Sequence, residues 1–281
     1  MRPRRPMKNG PPLPDRQDGD ERPAAPARAA HGVFRLLGTH VQSLHAALGI
    51  YLVAGFVVLL GTAAAFAWLA DEVGEGGTQR FDDAVLVWMH RHGTPGLTSV
   101  ALEVTALGSA AVVLVMLLVA TAFLWLSRHR YSVLLLWVAL VGGELLNTLL
   151  KSVFDRPRPR LFPWLTTAKL SSFPSGHAMT SVIVYVTLAY LVARLQPGRR
   201  MRRVTFGVAS ALVAAIGLSR MYLGVHYPSD VLAGYAAGFA WASFVALGME
   251  AVRHFRAREP QVGHAERDLE KPIPPPVGDG G

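Results

Sequence analysis

Six apolar segments constrain what this chain can fold into more than any other feature of its sequence. A helix needs roughly 20 residues to cross the apolar core of a bilayer. Four segments meet that length with at most one charged residue inside, and the fourth and fifth do so only if neighbouring polar residues extend their helices. The segments are residues 46–70, 104–126, 131–150, 178–193, 204–219 and 231–249. We therefore predict an all-α integral membrane bundle of six transmembrane helices.

The composition agrees with a chain embedded in lipid and excludes several other classes of protein. Hydrophobic residues make up 51% of the 281 residues and charged residues only 17%. The net charge of +9 comes from Arg and Lys that lie between the apolar segments and not in one basic domain, so we expect no nucleic-acid partner. Cysteine is absent. This rules out disulfides, thiolate zinc sites and a cysteine nucleophile.

Two polar tails flank the apolar region. Residues 1–31 and 259–281 contain many Pro and charged residues without apolar periodicity, so we predict that both are disordered. The first tail is not a signal peptide, because the first apolar run starts only near Ala46. Residues 46–249 then form a single transmembrane domain. Residues 81–92 mix apolar and charged side chains, which suits either a helix in the membrane interface or a plain connector.

The distribution of Arg in the connections predicts the orientation. Arg residues follow the second, fourth and sixth segments, and positive charge is retained on the cytoplasmic side during insertion. Both termini are then cytoplasmic. The opposite side receives residues 151–174, whose cations break the rule and suggest an anion to bind. This topology places the site on the non-cytoplasmic face. Because Arg outnumbers Lys 24 to 4, as in GC-rich genomes, we expect the membrane to be a bacterial inner or plasma membrane.

Three polar stretches meet on that face in this topology. The first is Lys151, six further residues and Arg158-Pro159; the second is Pro174-Ser175-Gly176-His177; the third is Ser219-Arg220, five residues, His226, three residues and Asp230. Their order and spacing resemble the three-part signature of the type 2 phosphatidic acid phosphatase (PAP2) family, whose helical core is shared with vanadium haloperoxidases. All signature positions match, over about residues 46–249. The resemblance implies a PAP2/haloperoxidase-like helical core and a lipid phosphatase.

The residue types in these stretches suit a phosphate site. Lys151, Arg158 and Arg220 present positive charge, and Arg can direct two hydrogen bonds onto phosphoryl oxygens. Ser175 and Gly176 open the fourth helix, where free backbone N–H groups and the helix dipole favour an anion. Glycine also lets the backbone approach a ligand closely. We predict that these five residues bind phosphate.

Two histidines and one carboxylate suit the chemistry. His226 and Asp230 are four residues apart, which places them on one face of a helix start, so the carboxylate can accept the Nδ1 proton and leave Nε2 free. We predict that His226 is the nucleophile and forms a phosphohistidine, with Asp230 orienting it. The family resemblance agrees. His177 suits the general acid and base.

The same residues also have interpretations that involve no catalysis by histidine. A single histidine at a membrane interface can be an ordinary interfacial residue, and His177, His226 and Asp230 could instead bind a metal. Three nearby cations would repel a metal ion, so we predict a metal-independent hydrolase without a cofactor. Arg156 and Arg160 are interpreted as surface charges near lipid headgroups.

One acidic residue inside an apolar segment is a functional candidate by default. Glu144 shares a helix face with Asn147 and Lys151, at spacings of three and four residues. It could pair with Lys151 or another basic group, or pack in its protonated form. We keep Glu144 out of the predicted catalytic set.

The expected substrate is a lipid phosphomonoester or diphosphate. Phosphatidic acid, phosphatidylglycerol phosphate and isoprenyl diphosphates such as undecaprenyl diphosphate are used within the family. A lipid phosphotransferase would use the same phosphohistidine and pass it to an acceptor other than water, and no residue excludes that. A haloperoxidase would hold vanadate in the pocket, but six spans oppose it, and a non-catalytic relative would typically lack a histidine or Asp230.

Overall fold

The computed structural model describes residues 52–168 and 170–258, with side chains to residue 252, and every regular element in those ranges is helical. The predicted disordered tails and the start of the first apolar segment lie outside the described residues. The helices are α1 Leu52–Gly74, α2 Gln79–Arg91, α3 Pro95–Ala106, α4 Ala110–Leu126, α5 Arg130–Val153, α6 Gly176–Leu195, α7 Arg199–Tyr222 and α8 Pro228–Arg258. The all-α prediction is confirmed.

The membrane-spanning helices agree with the sequence. Helices α1, α5, α6, α7 and most of α8 are each long and apolar enough to cross a bilayer, and α3 with α4 passes the same test as one bent span. The described chain thus has five such helices, or six spans if the bent pair crosses once. The two short segments gain length from their polar neighbours, as predicted, because α6 begins at Gly176 and α7 continues through Arg220 to Tyr222.

The structure differs from the prediction for the second membrane helix. Residues 104–126 were expected to form one continuous helix, but the chain bends by 47° between α3 and α4. Ser109 caps the start of α4 by accepting a hydrogen bond from the Val112 N–H, and serine is a favoured residue at that position. A Cβ atom at Gly108 would lie 2.9 Å from Ile216 and 3.2 Å from the His177 ring. Glycine at the bend therefore lets this corner approach His177.

Helix α2 confirms that the stretch around residues 81–92 is helical and not an irregular connector. Its position in a membrane interface stays a prediction. Leu86 and Asp82 are fully buried, while Trp88 on the same helix is 60% exposed. The helix therefore packs one face against the bundle.

Helix α6 lies at the centre of the bundle. Two thirds of its most apolar stretch is buried, against α5, α7 and α8, whereas few residues of α1 are buried. A π-helical turn occupies Val182–Val186 within it. Large apolar side chains cover the outward faces of α4 and α5, including Val119 and Leu145. Such faces suit contact with lipid, because the bilayer is as apolar as the side chains.

Candidate active site

A cavity of about 520 Å³ opens where α5, α6 and α7 meet the bend between α3 and α4. Six of the eight predicted site residues line it: Lys151, Arg158, Gly176, His177, Arg220 and His226. The other two, Ser175 and Asp230, are fully buried next to it. The structure thus brings together residues that are up to 79 positions apart in the sequence, from Lys151 to Asp230.

His226 lies in the turn between α7 and α8, with its side chain almost completely buried. Its Nδ1 is 3.5 Å from Asp230 Oδ2, at the outer limit of a hydrogen bond, and has no closer partner among the described residues. Its Nε2 lies 3.2 Å from Arg158 Nη1. We expected His226 to lie within the helix, but it lies in the turn before α8. Its Nδ1 faces the Asp230 carboxylate as predicted, whereas Nε2, which we expected to be free, lies within hydrogen-bond distance of Arg158.

Asp230 is held by the backbone that carries His226. Its Oδ2 accepts a hydrogen bond from the Tyr227 N–H at 2.8 Å, and this atom is the one that faces His226. The backbone carbonyl of Asp230 also accepts from the Ser175 N–H at 2.9 Å. This second contact ties the start of α8 to the start of α6, and so links the two histidine-bearing segments.

The surroundings of His226 favour its neutral form. Burial lowers the pKa of His226 to about 4, and the positive charges of Arg158 and Arg220 act in the same direction, while the Asp230 carboxylate opposes them. At neutral pH the imidazole is therefore uncharged. With the proton on Nδ1, opposite the carboxylate, Nε2 keeps the electron pair that a nucleophile requires, and in this structure that pair faces the Arg158 guanidinium.

Three cations line the same cavity. Arg158 donates to the Val225 carbonyl at 2.7 Å, and burial lowers its pKa from the ordinary arginine value. Lys151 Nζ donates to the Ser171 carbonyl at 2.8 Å. Arg220 Nη1 donates to Thr105 Oγ1 at 2.9 Å.

Loop carbonyls and a threonine hydroxyl thus hold the three side chains without neutralising them. The Nε of Arg220 is buried with no hydrogen-bond partner among the described residues. An oxyanion of a ligand would satisfy such a donor.

The start of α6 forms another wall. Ser175 is the N-cap residue, but its side chain does not cap the helix, and its buried Oγ has no partner in the described part of the chain. A Cβ on Gly176 would lie 3.0 Å from Asn147 Nδ2, so glycine leaves room where α5 and α6 meet. Free N–H groups and an unused hydroxyl at a helix N-terminus suit an anion.

The structure corrects the interpretation of Arg156. Its side chain is only 11% exposed, and it forms ion pairs with Asp230 at 2.7 Å and with Asp82 at 2.9 Å. The surface-charge assignment was wrong, because these two carboxylates draw the guanidinium into the protein. The repeated Arg-Pro at residues 156–159 was a possible signal, but nothing in the sequence links Asp82 to this region. Arg160, in contrast, is exposed as expected.

Of the alternatives given for Glu144, the structure does not show the pairing with Lys151. Glu144 lines the cavity and accepts a hydrogen bond from Thr180 Oγ1 on α6, not from Lys151.

No three His, Cys, Asp or Glu side chains in the described ranges are grouped to hold a metal ion. Metal independence stays a prediction that rests on the cations beside the histidines.

Comparison with known proteins adds independent findings. Residues 132–253 match the sequence model of the PAP2 superfamily. Phosphatidylglycerophosphatase B of Bacillus subtilis is 29% identical over 194 residues, which cover 69% of this chain and 95% of that protein. Decaprenylphosphoryl-5-phosphoribose phosphatase of Mycolicibacterium smegmatis is 30% identical over 164 residues, or 55% of this chain and 82% of that protein.

A solved structure is similar as well. The crystal structure of a transmembrane PAP2-type phosphatidylglycerolphosphate phosphatase from Bacillus subtilis matches with a TM-score of 0.66 and 28% identity. The match covers 70% of this chain and 98% of that chain.

Proposed function

Because the chain belongs to the PAP2 superfamily and is a phosphate-ester hydrolase of that family, we propose that it hydrolyses a membrane lipid phosphate through a phosphohistidine on His226. One observation carries the proposal. His226 Nε2 lies at the wall of a cavity lined by Lys151, Arg158 and Arg220, and Asp230 stands behind Nδ1. A neutral nucleophile beside a cluster of positive charge suits phosphoryl transfer.

In the first step, Nε2 of His226 attacks phosphorus, and the bond from phosphorus to the lipid oxygen breaks. Lys151, Arg158 and Arg220 stabilise the charge on the non-bridging oxygens. The negative charge of the bound phosphate favours the protonated form of His177, which gives its proton to the departing oxygen. Asp230 stabilises the positive charge that develops on the His226 imidazole.

In the second step, His177 removes a proton from water, and the oxygen of that water attacks phosphorus. The bond from Nε2 to phosphorus breaks, inorganic phosphate leaves, and His226 returns to its neutral form. His177 is again protonated for the next cycle. The cations need not move between the two steps, because the same phosphoryl oxygens are stabilised in both.

A lipid substrate fits the shape of the cavity. Below the cations, its wall is formed by apolar residues of α4 and α5, including Val113, Leu114 and Leu140. A charged headgroup at the cations with an acyl or isoprenyl chain along this wall would match both parts. The two relatives described above are named for phosphatidylglycerophosphate and a decaprenyl phosphate derivative. We propose phosphatidic acid, phosphatidylglycerol phosphate and isoprenyl diphosphates as the substrate class.

The proposal is tested by assaying the purified protein in detergent against a panel of these lipids. We expect release of inorganic phosphate with water as the only acceptor. The His226→Ala variant is the matched control, because it removes the nucleophile and leaves the cations in place. Phosphate transfer that occurs only when a sugar or lipid hydroxyl is added would instead identify a phosphotransferase. No transfer to any acceptor would contradict the proposed chemistry.

We propose that the site faces the non-cytoplasmic side, and the Arg-rich connections support this orientation. Because the chain has no cysteine, single cysteines at Thr166 and Gly198 report the two sides directly. Thr166 lies in the connection between α5 and α6, and Gly198 precedes α7. A membrane-impermeant thiol reagent applied to intact cells should label position 166 and spare position 198. The reverse pattern would place the site in the cytoplasm.

A further inference from the structure

We propose that Arg156 and Asp82 are positioning residues that hold Asp230 in place against His226. The inference rests on the proposed function, because it assigns a role in preparing the nucleophile. It also brings in helix α2, which lies outside the residues matched by the family. Neither residue belongs to the three-part signature seen in the sequence.

The Arg156 guanidinium connects two carboxylates that are both fully buried. Its Nη1 donates to Asp230 Oδ1 at 2.7 Å and to Ser229 Oγ at 2.8 Å, while its Nη2 donates to Asp82 Oδ2 at 2.9 Å. The guanidinium carbon also lies 4.2 Å from the centre of the Tyr227 ring. The hydrogen bonds and the contact with the ring together fix the orientation of this planar group.

These contacts divide the two oxygens of Asp230 between different tasks. Oδ1 accepts the hydrogen bond from Arg156, and Oδ2 accepts the one from the Tyr227 N–H and faces His226 Nδ1. Without Arg156, Oδ1 would be a buried charged atom that has lost its strongest partner. The carboxylate would then be free to turn, and Oδ2 would lose its alignment with the imidazole.

Asp82 fixes Arg156 and the start of α8 together. Its Oδ1 accepts from the Ser229 N–H at 3.0 Å, and its Oδ2 accepts from Ser229 Oγ and from Arg156. Because Asp82 contacts the first turn of α8, the dipole of that helix also favours its negative charge. Asp82 further compensates the charge of Arg156. Asp230 therefore keeps negative charge available for the cation that forms on His226.

None of the hydrogen bonds that Arg156 forms with the described residues reaches His226, so its effect on the nucleophile passes mainly through Asp230. Arg156 does not line the cavity that contains His226 and the phosphate-binding cations. It lies on the far side of Asp230, next to Phe154 and Phe173. Its loss should therefore slow the chemical step and leave substrate binding nearly unchanged.

The test is a double-mutant cycle on the full-length protein with a lipid phosphate as substrate. In the wild-type background, we expect Arg156→Gln and Asp82→Asn each to lower kcat by about 10- to 100-fold, with KM changed by less than about 3-fold. In the Asp230→Asn background, each should lower kcat by less than about 3-fold further, because the route through Asp230 is already lost. Equal losses in both backgrounds would overturn the inference.

Two further measurements separate positioning from folding. The exposed neighbours Asp155 and Arg160 supply matched controls, and Asp155→Asn and Arg160→Gln should leave kcat unchanged. If Arg156→Gln does not fold, Arg156→Lys keeps the buried charge but cannot span both carboxylates, and it should show the same selective loss of kcat. A loss of kcat in Arg156→Lys that is equally large in the Asp230→Asn background would contradict the positioning role.

The wild-type enzyme distinguishes this inference from the proposed function. If the wild type releases no phosphate from any lipid, the proposed function fails. If the wild type turns over and the Arg156 and Asp82 variants behave like the controls, only the positioning role fails.

Discussion

Gly234 sets the distance between the helix that carries Asp230 and the helix that carries His177. A Cβ atom at position 234 would lie 2.6 Å from the Ser175 backbone oxygen and 3.0 Å from the Ala178 Cβ. Neither atom ends a flexible side chain, so the added methyl group can be accommodated only if α6 and α8 separate. The Ser175 N–H also donates to the Asp230 carbonyl across this contact, and separation would stretch that hydrogen bond.

The size of the effect of Gly234→Ala follows from this geometry. Moving from 2.6 Å to an ordinary contact near 3.4 Å requires a displacement of about 0.8 Å. Overpacking of this kind costs about 1–3 kcal/mol, and the better helix propensity of alanine recovers up to about 1 kcal/mol. The net loss of stability is therefore about 0–3 kcal/mol. Catalysis should suffer as well, because a misplacement of about 1 Å can cost on the order of 100-fold in rate.

The assay compares kcat/KM and the thermal unfolding midpoint of the purified variants in detergent. Gly248→Ala is the matched control on the same helix, because a Cβ at that position would meet no other part of the described chain within 4 Å. We expect Gly234→Ala to lose about 10- to 100-fold in kcat/KM, and Gly248→Ala to keep wild-type activity. Wild-type kcat/KM in Gly234→Ala would refute the argument, as would an equal loss in Gly248→Ala.

Three other predictions concern the chemistry. Activity should persist in excess EDTA. Vanadate should inhibit it, because vanadate imitates the five-coordinate phosphoryl transition state. Loss of activity in EDTA, with recovery on adding magnesium or zinc, would contradict metal independence. Because burial lowers the pKa of His226 to about 4, kcat/KM corrected for the substrate's own titration should not decline as the pH falls from about 7 to about 5. It should decline only as Nε2 gains a proton near pH 4, and a decline centred near 6.5 would be inconsistent. Asp230→Asn should lower kcat by up to about 10⁴-fold yet retain more activity than His226→Ala, because the nucleophile survives in a poorer tautomer. Lower activity in Asp230→Asn than in His226→Ala would count against the orienting role of Asp230.

From the sequence, the membrane helices could be predicted apart from the bend between α3 and α4, and so could six of the residues that line the cavity. Crossing a bilayer depends on the length and polarity of one segment, which are local properties. The site residues lie at the ends of those segments, so their topology already placed Lys151, His177 and His226 on one face. The structure brings all three to one cavity.

Other features depend on contacts between distant segments and could not be predicted. The bend at Gly108 arises where a corner of the chain approaches His177 and Ile216. Gly108 and Ser109 are a local sign of a helix break, but the length and polarity of the segment, on which the prediction rested, do not reveal it. Arg156 stands beside Arg158 in a basic stretch that resembles a surface loop. Its burial depends on Asp82, which is 74 residues earlier in the chain. Asp82 lies on an amphipathic helix, where a charged residue normally faces water, so the local pattern gave no sign of a buried partner for Arg156.

The covalent step is the central claim, and rapid quenching with a radiolabelled lipid phosphate tests it most directly. The wild-type protein should yield a phosphoenzyme that is labile in acid, with the label on the peptide containing His226, and the label should be absent from His226→Ala. His226→Ala should also be inactive while keeping the thermal unfolding midpoint of a folded protein. A label on another residue, or near-normal turnover in His226→Ala, would contradict the account.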